Sequence, residues 1–314
     1  MNALPMTMHR LVDRSVAAVE VDGVQVESRF ARYSNGRVVA YSDLGDPAGD
    51  TTVFYFHSGG SSRLEAVLGH EAASSRGIRL VCLDRPGVGR SAPLRGRTLV
   101  DPAEDVANLA ILLGIRRYVV AGFSAGAPHA LAALLAAPGH VVGGVLVNMT
   151  GDRFHPAWRR QPVLARAMFA VMLGEAAWRF VWRQTVRQVE RKAAGGDRMS
   201  AALAVFLREG ARQGTAATDH EIDLCYRQSW GLAWEAVARP VLALHGEEDP
   251  NLAFVHGLER FAPWMRLRTM PGGHEQGASR LAWNRLCEAA LHFDSPEVRD
   301  RTRTDGPFEQ AFPI

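Results

Sequence analysis

Gly122-Phe123-Ser124-Ala125-Gly126 puts a serine between two glycines, directly after the apolar run Tyr118–Ala121 and at the start of a helical pattern. A strand–turn–helix of this kind projects the serine hydroxyl above a sheet, and a side chain at either glycine would crowd the turn. Pro128 is compatible with the helix's first turn. A serine hydroxyl becomes nucleophilic only beside a base, and the base must be oriented by a carboxylate. Both occur downstream at strand ends: Asp249 after Val241–Leu244, and His274 after Leu267–Met270. The chain order Ser124, Asp249, His274 is the one this architecture requires. Acyl transfer also needs donors for an oxyanion. The Ala125 amide at a helix start is one, and His57-Ser58-Gly59-Gly60 can supply another, from Gly59. Asp152, just past Val141–Val147, and Glu248, beside Asp249, are rival carboxylates. His57 is expected to order its loop, and His245, inside a strand run, to be a core residue.

These residues need a scaffold that brings strand ends to one edge. Two alternating runs, Glu27–Tyr33 and Arg37–Ser42, flank Ser34-Asn35-Gly36 and predict an antiparallel hairpin. Thr52–Phe56, Ile78–Leu83, Tyr118–Ala121 and Val141–Val147 are short β-rich runs, with helical patterns over Asp101–Leu113 and Ala125–Ala137. Near-continuous apolar strands alternating with helices indicate an α/β fold with a mostly parallel sheet covered on both faces. Strand signal then vanishes. Leu164–Leu173, Ala176–Glu190 and Ser200–Glu209 have helical periodicity. The β/α rhythm resumes with Val241–His245, Leu252–Phe261, Leu267–Met270 and Ser279–His292. The expected organisation is a core of residues 1–150 and 239–294, a helical cap over 151–238 inserted after the sixth strand, and an extended tail over 295–314.

Composition narrows the function. The 314 residues are 47% apolar and 22% charged, which suits a globular chain. Net charge is only +3, without blocks of like charge, so no nucleic-acid footprint is expected. Lys192 is the one lysine among 36 basic residues. Cys82, Cys225 and Cys287 are odd in number and widely spaced, which argues against a disulfide framework or zinc knuckle and fits a cytoplasmic location. The N-terminus lacks an apolar stretch of secretory length. Tyr118–Gly151 carries no formal charge, but Pro138-Gly139 and scattered polar groups break it, so a buried strand–helix–strand unit is expected rather than a membrane span.

Phe56–Arg63, Asp84-Arg-Pro-Gly-Val-Gly-Arg-Ser91, Gly122–Gly126, Gly246–Asp249 and Gly273-His274 together resemble the α/β-hydrolase superfamily, over about residues 27–292. The resemblance implies Ser124 as nucleophile, Asp249 as acid, His274 as base, Gly59 and Ala125 at the oxyanion hole, and Asp84–Ser91 as a structural loop. The family usually has His-Gly where this chain has His57-Ser58, which leaves open which amide completes the hole.

The expected activity is hydrolysis of a carboxylic ester or lactone of a bulky apolar small molecule, with no metal or organic cofactor. Carbon–carbon or thioester cleavage by the same residues is the enzymatic alternative, and a non-catalytic small-molecule binding protein the alternative of another class. A homo-oligomer is compatible with the sequence. Epoxide and haloalkane hydrolysis on this fold use an aspartate nucleophile, which Ser124 replaces. Trp178, Val181, Trp182, Thr185, Val186 and Val189 form one helical face, expected to pack on the core. Beside it runs a stripe of Arg179, Arg183, Arg187 and Arg191, read as a solvated face or an anchor for an acidic group. Met168, Phe169, Met172, Phe206, Tyr226, Trp230 and Trp234 are candidate pocket liners.

Overall fold

The computed structural model describes residues 8–172 and 174–301. Its strands are β1 (Met8–Val21), β2 (Val24–Tyr33), β3 (Val38–Gly45), β4 (Thr51–Phe56), β5 (Ile78–Leu83), β6 (Tyr118–Phe123), β7 (Val141–Val147), β8 (Val241–Gly246) and β9 (Met265–Met270). They form one sheet in the order β1-β2-β3-β5-β4-β6-β7-β8-β9. The pairs from β1 to β2, β2 to β3 and β3 to β5 are antiparallel, and the rest are parallel.

The helices are α1 (His70–Ser74), α2 (Asp101–Leu112), α3 (Ala127–Ala136), α4 (Val163–Met172), α5 (Glu175–Ala194), α6 (Arg198–Gly210), α7 (Ala216–Ile222), α8 (Leu252–Leu258), α9 (Arg280–Phe293) and α10 (Pro296–Arg301). Alternate residues of each central strand face opposite ways. Phe54, Phe56 and Val120 therefore pack with Val106 and Leu109 of α2, Leu131 of α3 and Phe254 of α8. Val53, Tyr55 and Val119 pack with Ala72 of α1 and Trp283 and Leu286 of α9 on the other face. Burial on both faces explains why these strands read as unbroken apolar runs. The uncharged stretch after Tyr118 is indeed β6, α3 and β7, and among the described residues no helix is long and apolar enough to cross a membrane.

Two expectations need correction. Met8–Val21 is a strand, joined to β2 through Asp22 (φ 49°) and Gly23 (φ 82°), a left-handed pair that suits a tight hairpin. The helical insertion therefore follows the seventh strand, not the sixth. The tail begins with α10 rather than extended chain, because Pro296 is tolerated in a first helical turn; its remainder, 302–314, lies outside the described residues.

Between β7 and β8 the described secondary structure is entirely helical, with α4 to α7 joined by short turns. Asp197 caps α6 by accepting from the Ser200 amide at 2.8 Å, which explains the break after Gly195-Gly196. The α5 face of Trp182, Val186 and Val189 packs against Leu203, Ala204 and Leu207 of α6, not simply against the sheet domain.

Candidate active site

Ser124 sits in the sharp turn between β6 and the helical run that leads into α3, with φ 54°, a conformation rarely adopted by a non-glycine residue. The turn closes so tightly that a Cβ on Gly122 would lie 2.4 Å from the Gly126 carbonyl oxygen, and one on Gly126 would lie 2.1 Å from that of Phe56. The two glycines are thus a steric requirement.

The Ser124 hydroxyl donates to His274 Nε2 at 2.9 Å, and His274 Nδ1 donates to Asp249 Oδ2 at 2.7 Å. Asp249 is buried, and its other oxygen accepts from the Asn251 amide at 2.7 Å. Burial alone would raise the Asp249 carboxyl, but His274 and the Asn251 amide outweigh it and hold it below its ordinary value. The carboxylate stays ionised and fixes the imidazole tautomer that leaves Nε2 free to accept from serine. The rival carboxylates are elsewhere. Asp152 accepts from the amides of Phe154 (2.9 Å) and Trp230 (3.3 Å), and Glu248 is exposed.

The loops carrying Asp249 and His274 are clamped by Asn148, buried just past β7 and unassigned from sequence. Its Oδ1 accepts from the Gly246 amide at 2.8 Å, and its Nδ2 donates to the His274 carbonyl at 2.7 Å. Its φ of 40° is one that asparagine tolerates better than most residues. A polar residue closing an otherwise apolar strand is its one local trace in the sequence. Gly246 permits the same close approach, since a Cβ there would lie 2.4 Å from the Gly273 carbonyl.

Gly59 and Ala125 face each other: a Cβ on Gly59 would be 3.3 Å from that of Ala125. Ser58 is engaged otherwise, its amide donating to Glu65 Oε1 at 2.9 Å and its hydroxyl bonding the other oxygen of the same carboxylate. The Ser58 amide is thus committed to Glu65. His57 is buried, and burial with the neighbouring Arg85 charge keeps its imidazole well below the ordinary histidine range. The Asp84–Ser91 segment is structural: Asp84 pairs with buried Arg63 at 2.6 Å, and Ser91 Oγ donates to the Asp84 carbonyl at 2.7 Å.

Ser124 and His274 open onto a cavity of about 340 Å³. Its walls are mostly apolar and include Leu68, Trp178, Trp182, Phe206, Ile222 and Tyr226. Tyr226 rides on a π-turn, Asp223–Arg227, that continues α7, and lines this cavity with Ser124. Burial raises the phenol, so it stays protonated. The Trp182 indole lies over Gly60, 2.3 Å from where a Cβ would be, and borders both this cavity and a second of about 320 Å³ lined also by Arg183, Arg187 and Arg208. Of the other candidate liners, Phe169 and Tyr226 border a third cavity, while Trp230 and Trp234 stack in the core at 5.6 Å. The side chains of Met168 and Met172 lie outside the described ones.

His129, Glu221 and Cys225 form a buried cluster with potential ligand atoms within 4.8 Å of one another. Arg85 and Arg97 already occupy Glu221, and burial pushes the Cys225 thiol well up, so the cluster reads as an ion-pair network. All three cysteines are buried and free.

His245 makes a separate prediction. It is buried, accepts from the Met149 amide at 2.9 Å, and burial lowers its pKa to about 4. A histidine held neutral in the fold binds its proton more readily when unfolded. Its contribution is therefore complete above the unfolded value near 6.5 and is lost as pH falls toward 4, by about 3 kcal/mol. Urea unfolding midpoints should drop across this window, and His245→Gln should flatten the drop.

Residues 53–288 match the profile of the alpha/beta hydrolase family. The chain belongs to that family. Among curated proteins it is 33% identical over 113 residues to the putative carbamate hydrolase RutD of Cronobacter sakazakii, a match covering 35% of this chain and 41% of the relative. Among solved structures, a hydrolase from Pseudomonas aeruginosa PA01 superposes with TM-score 0.63 at 20% identity, covering 85% of this chain and 97% of the other. The enol-lactonase from Burkholderia xenovorans LB400 gives 0.59 at 18% identity over 82% and 97%. At such identities these two likenesses establish the fold alone.

Proposed function

We propose that this alpha/beta hydrolase is a serine hydrolase cleaving a carboxylic ester or lactone with a bulky apolar group, and that residues 151–238 act as its cap. The observation that carries the reading is the Ser124–His274–Asp249 hydrogen-bonded series opening onto a deep apolar cavity.

His274 Nε2 takes the Ser124 proton as the oxygen attacks the carbonyl carbon. Negative charge collects on the former carbonyl oxygen, facing the Gly59 and Ala125 amides. The imidazolium, steadied by Asp249, returns its proton to the departing oxygen, leaving an acyl-enzyme. Water deprotonated by the same nitrogen then attacks the acyl carbon, and collapse frees the acid and restores Ser124.

Aryl esters of increasing acyl length test the reading. Each methylene that enters the cavity should raise kcat/KM about fourfold, equivalent to about 0.8 kcal/mol of transfer energy, until the chain meets Trp182. Trp182→Ala, by removing the indole that borders both cavities, should move the preferred chain length upward. Turnover of thioesters or carbon–carbon substrates with no ester turnover would contradict the ester assignment.

A further inference from the structure

Against the Gly59 segment lies a buried charged network that the chemistry above does not use, although its carboxylate, Glu221, also borders the Ser124 cavity. Arg85, 2% exposed, donates from Nη1 to the His57 carbonyl at 2.5 Å and from Nη2 to the Ser58 carbonyl at 3.1 Å. Its Nε donates to Glu221 Oε2 at 3.1 Å. Glu221 comes from α7, in the helical segment, 136 positions along the chain. The same oxygen accepts from Arg97 Nη2 at 2.6 Å, and the other lies 2.6 Å from His129 Nε2. Burial alone would raise the Glu221 carboxyl, but Arg85, Arg97 and His129 hold it well below the usual range, so it remains an anion able to fix the guanidinium.

What the guanidinium grips matters. The Ser58 carbonyl and the Gly59 amide belong to one planar trans unit, so they point in opposite directions. The Ser58 carbonyl accepts from Arg85 and also lies 2.9 Å from His57 Nδ1; holding it there turns the Gly59 N–H the opposite way, and Gly59 lines the cavity with Ser124 and Ala125. The preceding unit is held at both ends as well: the His57 carbonyl by Arg85, the Ser58 amide by Glu65 at 2.9 Å. A rigid fork that satisfies two carbonyls and one carboxylate suits arginine, whereas lysine offers a single point charge.

We propose that Arg85 is a positioning residue that aims the Gly59 amide at the oxyanion, and that Glu221 sets Arg85, so the helical segment helps to complete the oxyanion hole. This rests on the serine hydrolase reading. It also explains how a loop with Ser58 in place of the usual glycine keeps its donor in line.

The test compares an aryl trifluoromethyl ketone, which forms an oxyanionic hemiketal with serine, with the matching secondary alcohol, which cannot. In Arg85→Lys, kcat and ketone affinity should both fall about 100-fold, the scale of one misplaced oxyanion donor. KM and alcohol affinity should stay within about twofold, since neither depends on oxyanion donors. Glu221→Gln should lose in the same direction, and it keeps the question open to measurement if the lysine variant does not fold. Unchanged ketone affinity, or ketone and alcohol affinities falling together, would overturn the positioning role. Absence of any ketone adduct in the unaltered protein, read by fluorine NMR, would overturn the serine nucleophile itself and this proposal with it.

Discussion

Ser124→Ala is expected to lower kcat for aryl esters by roughly 10⁵- to 10⁶-fold, with the unfolding midpoint little changed. The substitution removes one oxygen from a site where alanine fits the same turn, so packing is kept while the nucleophile is lost. His274→Ala should give a comparable loss, and the double variant little more than either alone, because a nucleophile without its base and a base without its nucleophile are equally idle. Additive losses in the double variant would mean that the two side chains act independently, contrary to their 2.9 Å hydrogen bond. Steady-state rates with a common aryl ester settle the matter.

Asp249→Asn should reduce kcat by about 10⁴-fold while leaving KM close to unchanged. The asparagine amide would face Nδ1 with a donor, driving the imidazole to the tautomer whose Nε2 carries a hydrogen and can no longer accept from Ser124. Asp152→Asn should have no such effect, since that carboxylate serves the amides of Phe154 and Trp230. The reverse pattern would transfer the acid's role to Asp152.

The order of strands and helices in the core was legible in the sequence because burial on both faces leaves unbroken apolar runs. The serine turn was legible because its glycines are sterically forced, and the placement of Asp249 and His274 beside it because each follows a strand directly. The first strand was not. Met8–Val21 mixes charged and apolar residues at the sheet's edge, and only the Asp22-Gly23 turn announces it. Asn148 was hidden because its value lies in joining two loops that meet only in the folded chain, about 100 and 126 positions away. The Arg85–Glu221 contact was hidden for the same reason, since a single arginine in a loop and a single glutamate in a short helix carry no mutual signature. In the helical segment, periodicity located α4 to α6 but not their packing. Trp182 was assigned to a face, yet its seat over Gly60 depends on how α5 crosses the Gly59 loop, which no local pattern encodes.

The most direct measurement is the site of covalent capture by a fluorophosphonate, mapped by peptide mass spectrometry on the unaltered protein and on Ser124→Ala. One phosphonyl group on the peptide containing Ser124, absent from the alanine variant, is the expected result. Labelling elsewhere, or equal labelling of both proteins, would contradict a serine nucleophile at the β6 turn.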